Sequence, residues 1–328
     1  MAVNNSFEEI WGKLSRCRTV AMTLHAGPDG DSLGSCVGLK YVLERDFNCK
    51  VDLVSYDPLD SVLMSLPYAK EVKFGVDISD LVLKDYDATV FLDTSYQISG
   101  KLLKKYIPPT DAFIIYIDHH EKAGCVVAMN YLDSSAPSNC SILMALFDGM
   151  NVSFDKELST RLMLGLCTDT AFLRHGGNRT LKDADFLKRH GADYDYISSL
   201  INDTVPQNIR EYYSFLKDSL KKTSIHGKQV YYSLMDSQAV SRIGLNTAEI
   251  RLGPNYLSET PGYDVIFTLA ETDGYIKGSF RSRGDVDVSK FAESFSGSGH
   301  KHAAGFKIYD STMEKAESKV LTILKENL

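Results

Sequence analysis

The sequence has no apolar run of membrane-spanning length, no C-x-x-C pair and no excess of positive charge. A transmembrane helix needs about 20 consecutive apolar residues, so we expect no membrane partner. The first residues, MAVNNSFEEIWGKL, carry acids where a signal peptide would need a basic start, which predicts a cytoplasmic protein. The six cysteines are scattered, so we expect small buried side chains in a reducing compartment instead of disulfides or a zinc knuckle.

The charge balance excludes another class of partner. The chain has 36 lysines and arginines against 43 aspartates and glutamates, a formal net charge of −7. A protein that coats duplex DNA must neutralise many phosphates across a broad basic face, so we expect no duplex DNA partner. A small anionic substrate held by a few local cations or metal ions is compatible with this composition.

The first half of the chain alternates short apolar runs with helix-length segments. The predicted strands are 19–24, 51–56, 88–92 and 112–117, and the predicted helices are 33–46, 138–149, 156–168 and 181–190. This alternation is typical of an open, doubly wound α/β domain with a mainly parallel sheet. In such sheets ligands bind beyond the carboxyl ends of the strands, where the crossovers diverge.

The rest of the chain has a different pattern. Residues 191–226 are polar and predicted to be helical, without a sheet-like run. Beyond them we predict strands at 229–235, 263–272 and 274–283 and helices at 287–295 and 312–326. At 328 residues the chain is long enough for two cores. We therefore predict an N-terminal α/β domain over 1–190, a helical connector over 191–226 and a smaller C-terminal α+β domain over 227–328.

Side chains that bind metals stand where the predicted strands of the first domain end. The segment LHAGPDGDSLGS packs His25, Asp29 and Asp31 into one glycine-containing turn after the first strand. Further carboxylates and imidazoles follow at wide intervals, namely Asp93, the triplet Asp118, His119 and His120, and Asp169. A single aspartate at a strand end is usually a helix N-cap or a loop residue. The whole series at one sheet edge, however, predicts a metal centre.

The donor atoms indicate which metals this centre would take. Carboxylate oxygens and imidazoles without a thiolate suit manganese or magnesium better than a structural zinc. Six candidate ligands exceed the needs of one ion. Two ions about 3.5–4 Å apart that share a carboxylate are the arrangement with which phosphoesterases activate water.

Five motifs occur in a fixed order along the chain. They are H-x-x-P-D-x-D-x-x-G-S from His25, L-D-T at Asp93, D-H-H at 118–120, T-D-T at 168–170 and GSGHKHAAG at 297–305. This series resembles the DHH phosphoesterase superfamily, and its last motif is similar to G-G-G-H-x-x-A-A-G of the DHH-associated domain. The resemblance implies two Mn²⁺ sites that share one bridging residue, with His25 and Asp29 on one ion, Asp31, His119 and Asp169 on the other, and Asp93 as the bridge.

The resemblance also implies roles for the other two members of the D-H-H triplet. Asp118 would orient its neighbours, as metal sites usually require. His120 would face the scissile phosphate as a charge stabiliser or proton donor. Sequence alone leaves open whether His120 is instead a third metal ligand or a structural imidazole.

A cationic segment near the C-terminus contrasts with the acidic whole. Residues 274–307 contain six lysines and arginines against three acids, a local net charge of +3. Gly297 and Gly299 would let backbone N–H groups approach an anion. With the family resemblance, this implies the substrate-holding side of an interdomain cleft, where phosphates or bases are gripped by Arg281, Arg283 and His300. Arg174 matches a position that follows the T-D-T motif in the relatives and would reach a phosphate across the cleft.

The resemblance implies a two-metal hydrolase for short single-stranded oligonucleotides or small nucleotides, with Mn²⁺ or Mg²⁺ as cofactor. The favoured group is the nanoRNase and 3′-phosphoadenosine-5′-phosphate (pAp) phosphatase group, exonucleases that remove mononucleotides from very short oligonucleotides. The alternative is a cyclic di-AMP phosphodiesterase that acts on the cyclic dinucleotide or on its linear product pApA. A module that binds metal and nucleotide without turnover belongs to a third class, and the completeness of the metal set favours an enzyme over it. The sequence leaves open whether the chain forms a homodimer.

Overall fold

The computed structural model describes residues 4–94, 112–120, 128–173, 177–203 and 205–328. Contacts within the chain divide it into two units, Met1–Thr204 and Val205–Leu328. Each unit is built on its own six-stranded sheet. None of the helices in these described ranges is long and apolar enough to cross a bilayer.

The sheet of the first unit is parallel throughout. Its strands are β1 (Thr19–Thr23), β2 (Lys50–Ser55), β3 (Lys73–Phe74), β4 (Ala88–Leu92), β5 (Ile114–Asp118) and β6 (Met129–Leu132), in the order β3-β2-β1-β4-β5-β6. The chain leaves β1 toward β2 on one side and later adds β4 on its other side. The carboxyl ends of β1 and β4 therefore form the topological switch point, where ligands bind in doubly wound folds.

Helices and short 3₁₀ segments cover this sheet. The helices are α1 (Phe7–Leu14), α2 (Gly30–Phe47), α3 (Ser61–Met64), α4 (Asn139–Gly149), α5 (Lys156–Asp169), α6 (Gly177–Arg189) and α7 (Tyr194–Asp203), and the 3₁₀ segments are Pro67–Glu71, Ile78–Asp80 and Leu83–Asp85. α2 packs closely on α5 because glycines of α2 face it. A Cβ at Gly34 would lie 2.7 Å from the carbonyl oxygen of Arg161, and one at Gly38 would lie 3.0 Å from Leu162.

The N-terminal residues run along the outer edge of β6. The backbone N–H of Asn5 donates to the carbonyl of Asn130 at 2.8 Å, and the N–H of Asn130 donates to the Asn5 side chain at 3.0 Å. The Asn4 side chain accepts from the N–H of Leu132 at 2.9 Å and donates to its carbonyl at 2.8 Å. Main-chain groups at this edge of the sheet are thus satisfied by two asparagines.

The second unit contains a mixed sheet with helices against both faces. Its strands are β7 (Lys221–Ile225), β8 (Lys228–Met235), β9 (Val265–Thr272), β10 (Tyr275–Ser282), β11 (Ser298–His300) and β12 (Ala303–Tyr309), in the order β11-β12-β10-β9-β8-β7. Only β8 and β9 pair in parallel among these strands. The helices are α8 (Gln207–Asp218), α9 (Ser237–Ile243), α10 (Thr247–Ile250), α11 (Leu252–Leu257), α12 (Val288–Glu293) and α13 (Met313–Asn327).

Two cores lie on opposite faces of this second sheet. Phe267, Phe280 and Phe306 point toward α12 and α13. Ile266 and Ala270 point toward the layer formed by α8 to α11. The alternation of strand residues between two faces produces both cores.

The predicted α/β class, with a parallel N-terminal sheet and a separate C-terminal sheet domain, is confirmed. Strands β3, β6, β7, β11 and β12 were not predicted. β7 corrects the interpretation of 191–226 as free of strands, because its exposed Lys221 and Lys222 hide the strand pattern at the sheet edge. The division after Thr204 falls inside the predicted connector, and the predicted domain boundaries stay a prediction.

Candidate metal centre

The turn after β1 is shaped by the start of α2. Asp29 is the N-cap of α2 and accepts hydrogen bonds from the N–H groups of Asp31 and Ser32 at 3.1 and 3.0 Å. Ser32 also accepts the backbone N–H of His25 at 3.1 Å. These bonds bring Nε2 of His25 to 3.4 Å from Oδ1 of Asp29.

A residue that follows the neighbouring strand, β2, holds the same turn. Gly27 has a φ of 65°, in the left-handed region that favours glycine. Its N–H donates to Oδ2 of Asp57, just beyond β2, at 2.6 Å. Sequence reasoning did not identify Asp57, since nothing near it belongs to a motif.

Asp93 lies at the end of β4, next to β1, and is 2% exposed. Its φ of 54° is left-handed, which aspartate and asparagine tolerate better than most residues. Oδ2 lies 3.5 Å from Nε2 of His25, and Oδ1 lies 3.2 Å from Nε2 of His119. Each carboxylate oxygen of Asp93 therefore faces a different histidine.

His119 also belongs to a second group of carboxylates. Its Nε2 is 3.2 Å from Oδ2 of Asp169, the last residue of α5, and 3.8 Å from Oδ2 of Asp31. The other ring nitrogen, Nδ1, lies 3.3 Å from the carbonyl of Ala136. This contact leaves Nε2 directed at the carboxylates.

The start of α4 holds Asp31, which is fully buried. The N–H groups of Asn139 and Cys140 donate to its Oδ2 and Oδ1 at 2.5 and 3.0 Å. α5 approaches from the other side, where a Cβ at Gly165 would overlap Sγ of Cys140 and Oδ1 of Asp31. Two backbone N–H groups thus hold the Asp31 carboxylate in place, and Gly165 of α5 leaves the space that it occupies.

Negative charge dominates this part of the unit. Burial raises the pKa of Asp31 well above its ordinary value, and the nearby Asp169 and Asp93 raise it further. Burial likewise raises the pKa of Asp169 to about 6. Although burial alone would lower the pKa of His25 and His119, their aspartate neighbours raise both well above the usual value. The buried carboxylates therefore favour positive charge among them.

The arrangement fits divalent cations. One candidate donor group is His25, Asp29 and Asp93, and another is Asp31, His119 and Asp169, with ligand atoms in each group within 4.8 Å of one another. Oδ1 of Asp93 is buried and makes no hydrogen bond within the described residues. Carboxylates with an occasional imidazole and no thiolate suit Mn²⁺ or Mg²⁺. All six residues predicted as ligands lie together, and their role as ligands stays a prediction.

Asp118 uses its oxygens in a different way. Oδ1 accepts the N–H of His119 at 2.7 Å, the N–H of His120 at 3.2 Å and Nδ1 of His120 at 2.6 Å. Oδ2 accepts the hydroxyl of Tyr116 at 2.8 Å. With both oxygens engaged, Asp118 is better placed to orient His120 than to bind a cation, although it also belongs to a third candidate donor group with Asp93, His119 and His120.

Tyr116 is a member of this network that sequence reasoning missed. It lies two residues before Asp118 on β5, so both side chains point to the same face of the strand. It is 2% exposed. The i and i+2 spacing of the two residues was the signal that could have identified it.

Arg281 of the second unit is a part-buried cation without an acidic partner among the described residues. Its Nε donates to Oδ1 of Asn255 at 2.8 Å, and its Nη1 donates to the carbonyl of Phe280 at 2.7 Å. Burial lowers its pKa to about 10, so it remains charged at neutral pH. A fixed guanidinium of this kind suits an anionic ligand. Asn255, which fixes it, was not identified from the sequence.

The other predicted substrate residues have varied surroundings. Arg283 donates to the carbonyl of Ser258 at 2.6 Å and lies 4.2 Å from the centroid of the Tyr263 ring. Gly297 donates its N–H to the carbonyl of Ala292, and a Cβ there would lie 2.7 Å from Phe306. Gly299 has a φ of 153°, and a Cβ there would overlap the backbone of β12. Packing thus requires both glycines, whose role in anion binding stays a prediction.

Two of the predicted residues are not described at the level of side chains. Arg174 lies outside the described residues. The backbone of His300 pairs with Ala303 in the β11–β12 ladder, and the side chain of His300 lies outside the described part of the chain. Their predicted contacts with substrate stay predictions.

Comparison with known proteins identifies both units. Residues 19–166 match the DHH family, N-terminal domain, and residues 228–327 match the DHHA1 domain. The bifunctional oligoribonuclease and PAP phosphatase NrnA of Thermus thermophilus is 24% identical over 94% of this chain and 90% of that protein. The cyclic-di-AMP phosphodiesterase GdpP of Geobacillus thermodenitrificans is 22% identical over 90% of this chain but only 45% of that protein.

A solved structure shows the same fold over nearly the whole chain. The exopolyphosphatase-related protein from Bacteroides fragilis superposes with a TM-score of 0.86 at 19% identity, covering 98% of this chain and 95% of that one. The DHH match contains the parallel sheet that carries most of the candidate metal ligands, and the DHHA1 match contains the strand that carries Arg281. The chain belongs to the DHH family, with an N-terminal DHH domain followed by a DHHA1 domain.

Proposed function

We propose that this protein is a manganese-dependent phosphoesterase that hydrolyses very short oligonucleotides and pAp. The observation that carries the proposal is Asp93, whose two oxygens face His25 in one donor group and His119 in the other. A carboxylate shared in this way is the feature that pairs of catalytic metal ions need. Two cations held there would activate a water molecule and stabilise the charge that develops on the phosphoryl oxygens.

The chain's own residues would supply the rest of the chemistry. Asp118 holds Nδ1 of His120, which leaves Nε2 to donate a hydrogen bond or a proton to a phosphate oxygen. No serine or cysteine nucleophile is required, because water attacks directly. In the second unit, Arg281 lacks a carboxylate partner among the described residues and would bind a second phosphate or a base of the substrate.

The relatives support this substrate class and one alternative. The relative named as an oligoribonuclease and PAP phosphatase matches nearly end to end, whereas the cyclic-di-AMP phosphodiesterase matches over less than half of its length. The second candidate function is therefore hydrolysis of cyclic di-AMP or pApA. Both activities break a phosphoester of adenine nucleotides, and the same donor groups would serve either.

One assay separates these functions. The purified chain is incubated with pAp, pApA, a five-nucleotide RNA and cyclic di-AMP, each with Mn²⁺, with Mg²⁺ and with a chelator. We expect Mn²⁺-dependent release of phosphate from pAp, of AMP from pApA and of mononucleotides from the RNA, with little cleavage of cyclic di-AMP. Preferential cleavage of cyclic di-AMP would favour the second function. If none of the four compounds is hydrolysed although the metal is bound, the protein would be a module that binds metal and nucleotide without turnover.

Substitution of Tyr116 by phenylalanine tests how His120 is positioned. The change removes one hydrogen bond to Asp118 and should lower kcat about tenfold, as loss of an outer support of a metal site does, with little change in KM. Tyr86→Phe is the matched control, because the Tyr86 hydroxyl donates to Asp52 at 3.0 Å elsewhere in the same unit. Equal kcat values for the two variants would show that Tyr116 is only structural.

A further inference from the structure

One face of β10 and β12 combines cations, small residues and tyrosines. The even-numbered residues Ile276, Phe280 and Phe306 point into the core. The odd-numbered residues form the opposite face, which we call the outer face. Across the two strands they pair as Tyr275 with Tyr309, Lys277 with Lys307, Ser279 with Gly305 and Arg281 with Ala303.

The charges on the outer face all have one sign. It carries Lys277, Lys307 and Arg281, and none of its eight residues is acidic. Lys307 makes no ion pair with a described residue, and its Nζ lies 4.3 Å from the centroid of the Tyr275 ring. A Cβ at Gly305 would lie 3.4 Å from Nζ of Lys277, so this ammonium group lies over a position without a side chain. The result is a shallow cationic surface.

An aromatic pair stands at the end of the outer face away from Arg281. The rings of Tyr275 and Tyr309 are 5.8 Å apart at an angle of 48°. Lys307 covers one face of Tyr275, whereas Tyr309 is 52% exposed. Tyr309 therefore offers the more open ring. Cationic grooves with exposed aromatic rings are typical of surfaces that bind single-stranded nucleic acid.

We propose that the outer face binds the further nucleotides of a single-stranded oligonucleotide of which Arg281 holds one phosphate. Lys277 and Lys307 would bind the following phosphates, and a base would stack on Tyr309. This inference rests on the proposed function and deepens it, because it names the surface that would hold the nucleotides beyond the one that is cleaved off.

The dimensions limit the length of strand that the outer face holds. Tyr275 precedes Arg281 by six residues of a continuous strand, a distance of about 20 Å at about 3.3 Å per residue. A stacked single strand advances about 3.4 Å per nucleotide and an extended one roughly twice that, so about three to six nucleotides fit. Asp273 precedes Tyr275 and Asp310 follows Tyr309 in the chain, and their charge would repel further phosphates.

The test compares a long and a short ligand. Binding to the full-length chain is measured by fluorescence anisotropy with labelled, hydrolysis-resistant phosphorothioate forms of a five-nucleotide RNA and of pApA. Lys307→Ala and Tyr309→Ala should each raise the Kd of the five-nucleotide RNA about tenfold, the first through loss of a charged phosphate contact and the second through loss of a stacked base. Both should change the Kd of pApA less than about twofold. For Lys307→Ala the slope of log affinity against log salt should also fall by about 0.7.

Three further variants complete the test. Lys222→Ala removes a lysine that also lies over a tyrosine, Tyr231, at the opposite edge of the same sheet, and should change neither Kd. Arg281→Met should weaken both ligands, and Tyr309→Phe should restore the binding lost in Tyr309→Ala. Equal effects of Lys307→Ala and Tyr309→Ala on both ligands, or no effect on either, would overturn the inference. Because no turnover is needed, failure of the proposed function would appear separately, as absence of Mn²⁺-dependent hydrolysis.

Discussion

Replacing Asp93 with asparagine is expected to lower kcat at least about 1000-fold, because the negative charge that faces His25 on one side and His119 on the other is lost. The Mn²⁺ bound per chain should fall from two ions to one or none. Turnover of pAp and pApA measures the first effect, and titration calorimetry with Mn²⁺ measures the second. The calorimetric result does not depend on which substrate the enzyme prefers.

The backbone makes asparagine the appropriate replacement. Asp93 has a φ of 54°, and an alanine in this left-handed conformation would add strain of roughly 1–2 kcal/mol. Asparagine accepts the same conformation, so loss of activity would not result from misfolding. Asp52→Asn is the matched control, since Asp52 is also buried but bonds to Lys73 and Tyr86 outside the candidate centre.

This experiment can contradict the metal assignment. If Asp93→Asn kept a kcat within about tenfold of the wild type and still bound two ions, Asp93 would not be shared between them. If Asp52→Asn lost activity to the same extent, a general effect on folding would explain both results. Circular dichroism of each variant, followed through thermal unfolding, distinguishes these cases.

Replacing Gly165 with alanine is expected to lower the free energy of unfolding by about 1–3 kcal/mol and to weaken Mn²⁺ binding. The added Cβ would overlap Sγ of Cys140 and Oδ1 of Asp31 and would lie 3.0 Å from Cα of Asp31. α5 must then move away from α2, and the Asp31 carboxylate loses its position relative to Asp169. Denaturant unfolding and Mn²⁺ titration measure the two effects.

Gly12→Ala is the control for the intrinsic effect of alanine in a helix. A Cβ at Gly12 of α1 meets no atom within 4 Å, so this change should raise the free energy of unfolding by up to about 1 kcal/mol. Opposite signs for the two variants would attribute the loss in Gly165→Ala to contact with Asp31. A Gly165→Ala protein as stable as the wild type, with unchanged Mn²⁺ affinity, would refute this account.

The strands that carry the candidate metal centre could be predicted because each is a buried apolar run that ends in a motif. β1 and β4 were placed within one residue of their observed ends. β7 was not, because an exposed edge strand with Lys221 and Lys222 has no apolar alternation. The segment GSGHKHAAG resembled a loop, yet Ser298–His300 and Ala303–Tyr309 form two paired strands whose glycines accommodate close backbone contact.

The residues that hold the candidate ligands in place were harder to predict than the ligands themselves. Asp31 receives hydrogen bonds from Asn139 and Cys140, more than 100 positions along the chain. The N–H of Gly27 donates to Asp57, just beyond β2. Such contacts depend on the order of the strands and on the packing of α4, which a single sequence does not specify. Only Tyr116 carried a local signal, its spacing from Asp118.

Asn4 and Asn5 cover an edge of the first sheet that could otherwise pair with another molecule. A parallel sheet ends in a row of main-chain donors and acceptors that can recruit a strand from another molecule. Asn4 uses the donor and the acceptor of its side-chain amide, and Asn5 uses its side-chain oxygen together with its backbone N–H, to occupy that row along β6. The main-chain groups of Asn130 and Leu132 are therefore already paired within the chain and are not available to a strand of another molecule.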